Sequence, residues 1–262
     1  MAEKLLEVKN LRTEFKRDKT WVTAVNNVSF SIQPGEILGL VGESGCGKTT
    51  LGRTILRLYE PTGGKIIYDG QTIFDNPLDK DGKPLGKAKS VNMLPYRKKM
   101  QIIFQDPSAS LDPRMTVGEI IGEAIDIHKL AANKKDRADM IKGLLARVGL
   151  NTEHANRYPH EFSGGQRQRL TIARAVVKKP EILILDDSAS ALDFATDAAL
   201  RKAIREMEGE TTVFIVSQRA ASIQHADRIV VLDDGKIVGL GTSEELLESC
   251  EVYQEIYNSQ FK

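Results

Sequence analysis

Cysteine is scarce in this sequence, and the balance of charges leaves almost no net charge. The 262 residues include two cysteines, Cys46 and Cys250, so a disulfide framework is not expected and a reducing compartment is. The 37 basic and 36 acidic residues give a net charge of +1. A charge this small provides no general attraction to nucleic acid or to anionic lipid, so neither is an expected partner.

Long apolar runs are also missing. No stretch approaches the ~18 consecutive apolar residues of a membrane span, and the N-terminal segment MAEKLLEVKN lacks the apolar core of a signal peptide. The composition, 41% hydrophobic and 28% charged, is that of an ordinary globular domain. We therefore expect a cytosolic protein that reaches a membrane only through a partner.

The most informative stretch is a glycine-rich turn, GESGCGKT at 42–49. An apolar run precedes it and a helical pattern begins near Lys48, which is the strand–turn–helix context of a phosphate-binding loop. Glycines allow successive N–H groups to face one anion, and a helix N-terminus adds its dipole. Lys48 would reach the β- and γ-phosphates and Thr49 would offer its hydroxyl to Mg²⁺. The residues assigned to the nucleotide are Gly42, Glu43, Ser44, Gly45, Cys46, Gly47, Lys48, Thr49 and Thr50.

Polar side chains also stand where predicted buried strands end. Asp186 and Asp187 close one apolar run, Gln105 ends a second strand and Gln218 follows a third. The carboxyl ends of parallel strands form the ligand-binding edge of a sheet, so we expect these side chains beside the phosphate loop. Asp186 would hold Mg²⁺, Asp187 would polarise the attacking water and Gln218 would contact the γ-phosphate. Gln105 would ligate the metal or order the water.

A second glycine-containing turn, Ser163-Gly164-Gly165-Gln166, directly precedes a predicted helix. It has two interpretations. As an anion cradle, it would complete the nucleotide site of another subunit in a head-to-tail dimer, since one nucleotide needs only one cradle for its triphosphate. Alternatively it is a helix N-cap, with Ser163 as the capping residue.

Two aromatic residues and two longer segments complete the pattern. Phe15 and Trp21 lie upstream of the phosphate loop, where either ring could stack on an adenine or simply pack against the protein.

Residues 75–92 are polar, rich in Gly, Pro and Lys and without periodicity, so we expect an exposed loop. Between 115 and 150 apolar residues recur at helical spacing, which predicts an inserted helical segment.

Five features follow one another along the chain: the phosphate loop, Gln105, FSGGQ at 162–166, the strand ending at Asp186 and the SALD turn at 190–193. Together and in this order, they resemble the nucleotide-binding subunits of ABC transporters. The resemblance implies an α/β fold with a RecA-like P-loop NTPase core, an antiparallel β subdomain and an inserted helical subdomain. It places the core and β subdomain at about 1–104 and 175–262, and the helical subdomain at about 105–174. It also implies ATP, Mg²⁺, ATP-driven dimer closure and transmembrane partner subunits.

Within this family the two parts of the chain resemble different branches. The segments 99–122 and 158–174 look like the ATPase subunits of oligopeptide and dipeptide importers. From about Lys179 onward the sequence looks like the nucleotide-binding domains of multidrug-type exporters. A recombined natural protein and a constructed chimera both fit this mosaic. The sequence leaves open the substrate, the direction of transport and whether the dimer is homomeric or heteromeric.

Two positions depart from the usual family pattern, with Asp187 in place of Glu and Gln218 in place of His. Aspartate is one methylene shorter, and a misplacement of roughly an ångström can cost ~10²-fold in rate. Glutamine can hydrogen-bond a phosphate but cannot carry charge or shuttle a proton as histidine can. We therefore predict that the chain binds ATP well and hydrolyses it slowly, as in the degenerate sites of heterodimeric exporters.

Three functions are compatible with these features. The first is the energy-coupling ATPase subunit of a membrane transporter, of the peptide-importer type. The second is a nucleotide-gated dimerisation module in which closure rather than turnover is the output. The third, a soluble ABC-type ATPase of DNA maintenance or translation, is disfavoured because the sequence has no long coiled coil, tandem cassette or basic tract.

Overall fold

The chain folds into two compact units. The computed structural model describes residues 4–104, 106–186 and 211–261. Unit one comprises Met1–Arg97 and Thr212–Lys262, and unit two comprises Lys98–Thr211.

One part of unit one is an antiparallel sheet. Its strands are β1 (Leu6–Arg17), β2 (Thr20–Ile32), β4 (Gly63–Tyr68), β5 (Gln71–Asn76) and β6 (Lys89–Ser90). They lie in the order β2-β1-β4-β5-β6, and every neighbouring pair is antiparallel. In β1 Leu6 and Val8 are buried, and after a shift in register Leu11 and Thr13 are buried, so one face of the strand covers a core. This sheet is the antiparallel β subdomain that the family resemblance implies.

The segment 75–92 is not wholly the exposed loop that its composition predicts. β5 extends to Asn76, whose side chain is buried and donates a hydrogen bond to the carbonyl of Thr62 at 2.8 Å. β6 pairs with β5 through Phe74 and Ser90. The prediction failed because β6 is two exposed residues long and carries no apolar periodicity.

A second group of strands in unit one positions the phosphate loop. These strands are β3 (Ile37–Val41), β9 (Thr212–Ser217), β10 (Arg228–Asp233) and β11 (Lys236–Gly241). β3 is parallel to β10 on one side and to β9 on the other, and β11 runs antiparallel to β10. The buried apolar residues of β3 fit a strand with a neighbour on each edge and helices over its faces.

Within the described residues of unit one, three α-helices accompany the strands. They are α1 (Lys48–Ile55), α7 (Ser243–Ser249) and α8 (Glu251–Phe261). The short helix α2 (Tyr96–Lys99) spans the sequence boundary between the units. Helices α7 and α8 pack against β3 and β10 in a core cluster that contains Val41, Ala220, Ile223, Ile229, Val231, Leu246, Cys250, Tyr253 and Ile256.

Unit two combines a pair of parallel strands with helices. The strands are β7 (Met100–Ile103) and β8 (Ile182–Asp186), which pair from Met100 opposite Ile182 onward. The helices are α3 (Pro107–Ser110), α4 (Val117–Ile127), α5 (Lys134–Arg147) and α6 (Gly164–Val176). Helices α4, α5 and α6 contact one another, so the predicted helical segment between 115 and 150 is confirmed. None of the helices within the described ranges is long and apolar enough to cross a membrane.

Candidate nucleotide-binding site

The glycine-rich turn lies where three parallel strands end. Val41 is the last residue of β3 and pairs with Ser217 of β9 on one side and Val231 of β10 on the other. Gly42 therefore begins the loop at the carboxyl edge of these strands. In open α/β sheets this edge is where ligands bind.

Two glycines of the loop lie against the backbone of other strands. A Cβ added to Gly42 would lie 2.1 Å from the carbonyl oxygen of Leu232, and one added to Gly47 would lie 2.1 Å from that of Ala24. Gly47 also has φ +101°, which side chains rarely adopt. The loop can therefore pack against β2 and β10 only with glycine at both positions.

The loop ends in a helix whose first turn is suited to an anion. Gly47 is the N-cap of α1 and has no side chain to cap the first N–H groups, and the first turn contains no acidic residue. The first N–H groups of a helix have no intrahelical acceptor, and the helix dipole is positive there. A Cβ on Gly45 would meet no protein atom within 4 Å. The loop therefore offers backbone donors and open space, the requirements of a phosphate cradle.

Lys48 is buried at the start of α1 and its ammonium group lies over the loop. Its Nζ donates to the carbonyl oxygens of Gly42 at 2.8 Å and Glu43 at 2.6 Å. Its third N–H faces the Cys46 sulfur at 3.7 Å. Sulfur is a weak acceptor, so a phosphate oxygen can replace it. Burial raises the pKa of the neighbouring Cys46 thiol, an effect that the Lys48 charge opposes. The thiol is therefore neutral at pH 7 and adds no negative charge beside the loop.

The phosphate loop is hydrogen-bonded to a hairpin turn that comes much later in the sequence. The turn between β10 and β11 has left-handed residues at Asp234 and Gly235, as an Asp-Gly hairpin turn requires. The Gly235 N–H donates to the carbonyl of Cys46 at 3.0 Å, and the Gly235 carbonyl accepts from the N–H of Asn26 at 2.8 Å. An Asp-Gly pair is typical of a hairpin turn, but no local pattern predicts the contact of this turn with the phosphate loop.

Gln218 directly follows β9, and its side chain is exposed. Because Ser217 pairs with Val41, Gln218 lies at the same strand edge as the phosphate loop. Its main-chain carbonyl accepts a hydrogen bond from the side chain of Gln260 at 2.9 Å. Sequence analysis missed Gln260, which stands among polar residues near the end of a helix and carries no motif.

The other candidate catalytic residues belong to unit two. Asp186 is the last residue of β8 and is 1% exposed, so its carboxylate is held inside the protein at a strand end. Gln105 and Asp187 lie outside the described residues. Their proposed roles therefore rest on the sequence.

The Ser163-Gly164-Gly165-Gln166 turn forms the N-terminus of α6. Ser163 is the N-cap, its Oγ accepts the N–H of Gln166 at 3.3 Å, and the Gln166 side chain accepts the N–H of Ser163 at 2.9 Å. This reciprocal capping box is what the N-cap interpretation predicts. It leaves the hydroxyl proton of the exposed Ser163 able to be donated, so capping and anion binding are compatible.

The two aromatic candidates for adenine stacking lie on the β1–β2 hairpin. Phe15 is 38% exposed and makes an edge-to-face contact with Tyr59, with ring centroids 5.2 Å apart. Trp21, opposite Lys16 in the hairpin, is 63% exposed. The Tyr59 contact supports a packing role for Phe15 and leaves a part of its ring accessible.

Comparison with protein families decides the assignment. The model of the ABC transporter family matches residues 25–190. This chain belongs to the ABC transporter family. Its sequence is 48% identical over 252 residues to the oligopeptide transport ATP-binding protein OppF of Bacillus subtilis, covering 95% of this chain and 79% of that protein. It is 42% identical over 250 residues to the dipeptide transport ATP-binding protein DppF of Lactococcus lactis subsp. cremoris, covering 93% and 76%.

Solved structures agree with this assignment. A dimeric, post-hydrolysis structure of the ATP-binding cassette MJ0796 bound to ADP and Pi has a TM-score of 0.75 and 28% identity, covering 90% of this chain and 98% of that one. A bacterial Atm1-family ABC exporter with ATP bound has a TM-score of 0.76 at 24% identity, which shows the shared fold alone. The α/β fold expected of an ABC ATPase is therefore confirmed.

The comparisons give no support for a chimera. The OppF match covers 95% of this chain, so it includes most of the C-terminal third that resembles exporters. The similarity to peptide-transport ATP-binding proteins therefore extends across most of the chain.

Proposed function

We propose that this chain is the ATP-binding and ATP-hydrolysing subunit of an ABC transporter that imports oligopeptides. The observation that carries the proposal is the glycine loop at the carboxyl end of β3, with its uncapped helix N-terminus and overlying Lys48. A loop of this kind cradles a triphosphate. The 48% identity with an oligopeptide transport ATP-binding protein supports the peptide class of the cargo.

The nucleotide contacts follow from the loop. The triphosphate would lie against the N–H groups of residues 42–50, and the Lys48 N–H that faces the Cys46 sulfur would turn to the β- and γ-phosphates. Phe15 would stack on the adenine with the exposed part of its ring. Gln218 would donate its amide to the γ-phosphate from the end of β9.

Magnesium fits the donors available to it. The proposed ligands are the Thr49 hydroxyl, the Asp186 carboxylate and the Gln105 side-chain oxygen, and Mg²⁺ prefers hard oxygen ligands of this kind. When bound, the ion would neutralise the charge that develops on the phosphate oxygens. Burial of Asp186 supports its role, because a buried strand-end carboxylate is held in a fixed position.

Two residues set the rate of hydrolysis in this proposal. Asp187 would polarise the attacking water from a side chain one methylene shorter than the glutamate usual in the family, and Gln218 would hydrogen-bond the γ-phosphate without charge. Both replacements weaken stabilisation of the transition state, so turnover would be slow while ATP binding stays tight.

A second ATP-binding subunit would complete the site. Ser163, Gly164, Gly165 and Gln166 of one copy would contact the γ-phosphate held by the other, in a head-to-tail homodimer or heterodimer. The similar MJ0796 cassette is dimeric when bound to ADP and Pi, which supports dimerisation of this chain. Transmembrane subunits, docked near the segment after Gln105, would hold the dimer at the inner face of the membrane and select the peptide.

Lys48→Ala tests the proposal in the native host. A strain whose chromosomal copy carries Lys48→Ala should lose uptake of a labelled tetrapeptide, and the purified variant should bind ATP at least about tenfold more weakly. Lys9→Ala, which removes an exposed lysine on β1, is the matched control and should transport normally. Normal uptake in the Lys48→Ala strain at equal protein level would refute the proposal.

A further inference from the structure

The turn after β9 carries Gln218 and is held at both ends by buried groups. Ser217 is buried at the end of β9, its Oγ accepts the N–H of Arg219 at 2.9 Å, and Ala220 is buried in the core cluster. The two residues between Ser217 and Ala220, namely Gln218 and Arg219, are exposed. The direction of the Gln218 side chain therefore depends on the backbone of this short turn.

One side chain bridges the turn. Gln260 Nε2 donates to the carbonyl of Gln218 at 2.9 Å, and Gln260 Oε1 accepts the N–H of Ala220 at 2.9 Å. A carbonyl can only accept and an N–H can only donate, so these partners fix which way the amide of Gln260 faces. The planar amide thus joins two main-chain groups on either side of Arg219, as a neighbouring strand would.

The helix that presents Gln260 is firmly anchored. Tyr253 and Ile256 of α8 are buried in the core cluster, and the Tyr253 hydroxyl lies 2.9 Å from Ser243 Oγ. Positions 253, 256 and 260 follow helical spacing, so they lie on one face of α8. Gln260 therefore lies on the same face of α8 as the residues that pack on the core, about one turn beyond Ile256.

We propose that Gln260 is a positioning residue for ATP hydrolysis, because it holds the backbone of the turn that aims Gln218. The inference rests on the proposed function, in which Gln218 contacts the γ-phosphate. Gln260 itself contacts only the protein and acts through Gln218. Its loss should therefore affect steps that need the γ-phosphate and spare those that do not.

Steady-state kinetics of the purified 262-residue chain test this role. Gln260→Ala removes both hydrogen bonds and should lower kcat roughly tenfold, less than the ~10²-fold that a misplaced catalytic group can cost. KM for ATP should change less than kcat, and ADP affinity should stay at the wild-type value. Gln260→Glu keeps the acceptor for Ala220 but places a carboxylate against the Gln218 carbonyl, so it should lower kcat at least as much.

Gln254→Ala is the matched control. Gln254 lies in the same helix and its Nε2 donates to the carbonyl of Leu247 at 2.7 Å, away from the turn. This variant should lose a helix-to-backbone hydrogen bond and keep wild-type kcat. Circular dichroism should show all three variants folded.

The outcomes separate the two proposals. A wild-type chain that neither binds nor hydrolyses ATP would overturn the proposed function and this inference with it. If wild type turns over ATP and Gln260→Ala matches it, the positioning role alone is refuted. Equal losses of kcat and ADP affinity in Gln260→Ala and Gln254→Ala would also refute it, since they would report a general loss of structure.

Discussion

Alanine substitution of individual glycines should separate the residues that shape the phosphate loop from those that face the nucleotide. In Gly47→Ala the new Cβ would lie 2.1 Å from the Ala24 oxygen, whereas an ordinary C···O contact is about 3.3 Å. Ala24 lies in β2, whose neighbouring residue Val25 pairs with Thr13 of β1, so the oxygen cannot retreat alone. The overpacking costs about 1–3 kcal/mol and the positive φ about 1–2 kcal/mol, which together give about 2–5 kcal/mol.

Gly70→Ala isolates the cost of the positive φ. Gly70 has φ +71° in the turn between β4 and β5, and a Cβ there would meet no atom within 4 Å. This variant should lose only about 1–2 kcal/mol of unfolding free energy. In urea denaturation followed by circular dichroism without nucleotide, Gly47→Ala should therefore unfold at roughly 0.5–1 M less urea than Gly70→Ala. Coincident midpoints would refute the argument that Gly47 is required by packing.

Gly45→Ala should show the opposite behaviour. Gly45 has φ +87°, but a Cβ there would face open space. Gly45→Ala should therefore lose about as much unfolding free energy as Gly70→Ala. The same methyl group would enter the space proposed for the phosphates, so ATP affinity, measured with a fluorescent analogue, should fall about tenfold or more. Wild-type affinity in Gly45→Ala would contradict the assignment of the loop as a phosphate cradle.

Two further predictions concern turnover and stability. The double variant Asp187→Glu with Gln218→His should raise ATP turnover roughly 10- to 100-fold and leave ATP-dependent dimerisation unchanged; no gain would contradict the slow-hydrolysis proposal. Glu36→Gln should lower the free energy of unfolding by about 2 kcal/mol, because the Glu36 carboxylate accepts from Arg228 at 2.6 and 3.0 Å and is 9% exposed. Glu7→Gln, which removes exposed ion pairs with Lys4 and Lys9, should keep a urea midpoint close to that of the wild type.

The parts of the site that were predictable from sequence are local in the chain. The phosphate loop is a strand, a turn and a helix within a few residues of one another, and the positive φ of Gly45 and Gly47 is a local property of the turn. The N-terminus of α6 is equally local, because the Ser163 to Gln166 spacing of a capping box can be read directly. Helical periodicity likewise identified the helical segment of unit two.

The contacts that were not predictable join distant positions. Gln260 and Gln218 are 42 positions apart, and each is an ordinary polar residue when read alone. The hydrogen bond from Gly235 to Cys46 likewise depends on how β10 packs beside β3. Local patterns encode the face that a strand buries but not which loop a distant turn will touch.

Both distant contacts act on main-chain groups, and this affects how the catalytic residues can be tested. Gly235 bonds to the carbonyl of residue 46, and Gln260 bonds to the carbonyl of residue 218 and the N–H of residue 220. These bonds hold the backbone whatever side chain residue 218 carries. Histidine can therefore replace Gln218 without releasing the turn, and a rate change in that variant reports the chemistry of the side chain. Replacing Gln260 has the reverse effect, since it frees the turn and leaves the side chain of Gln218 intact.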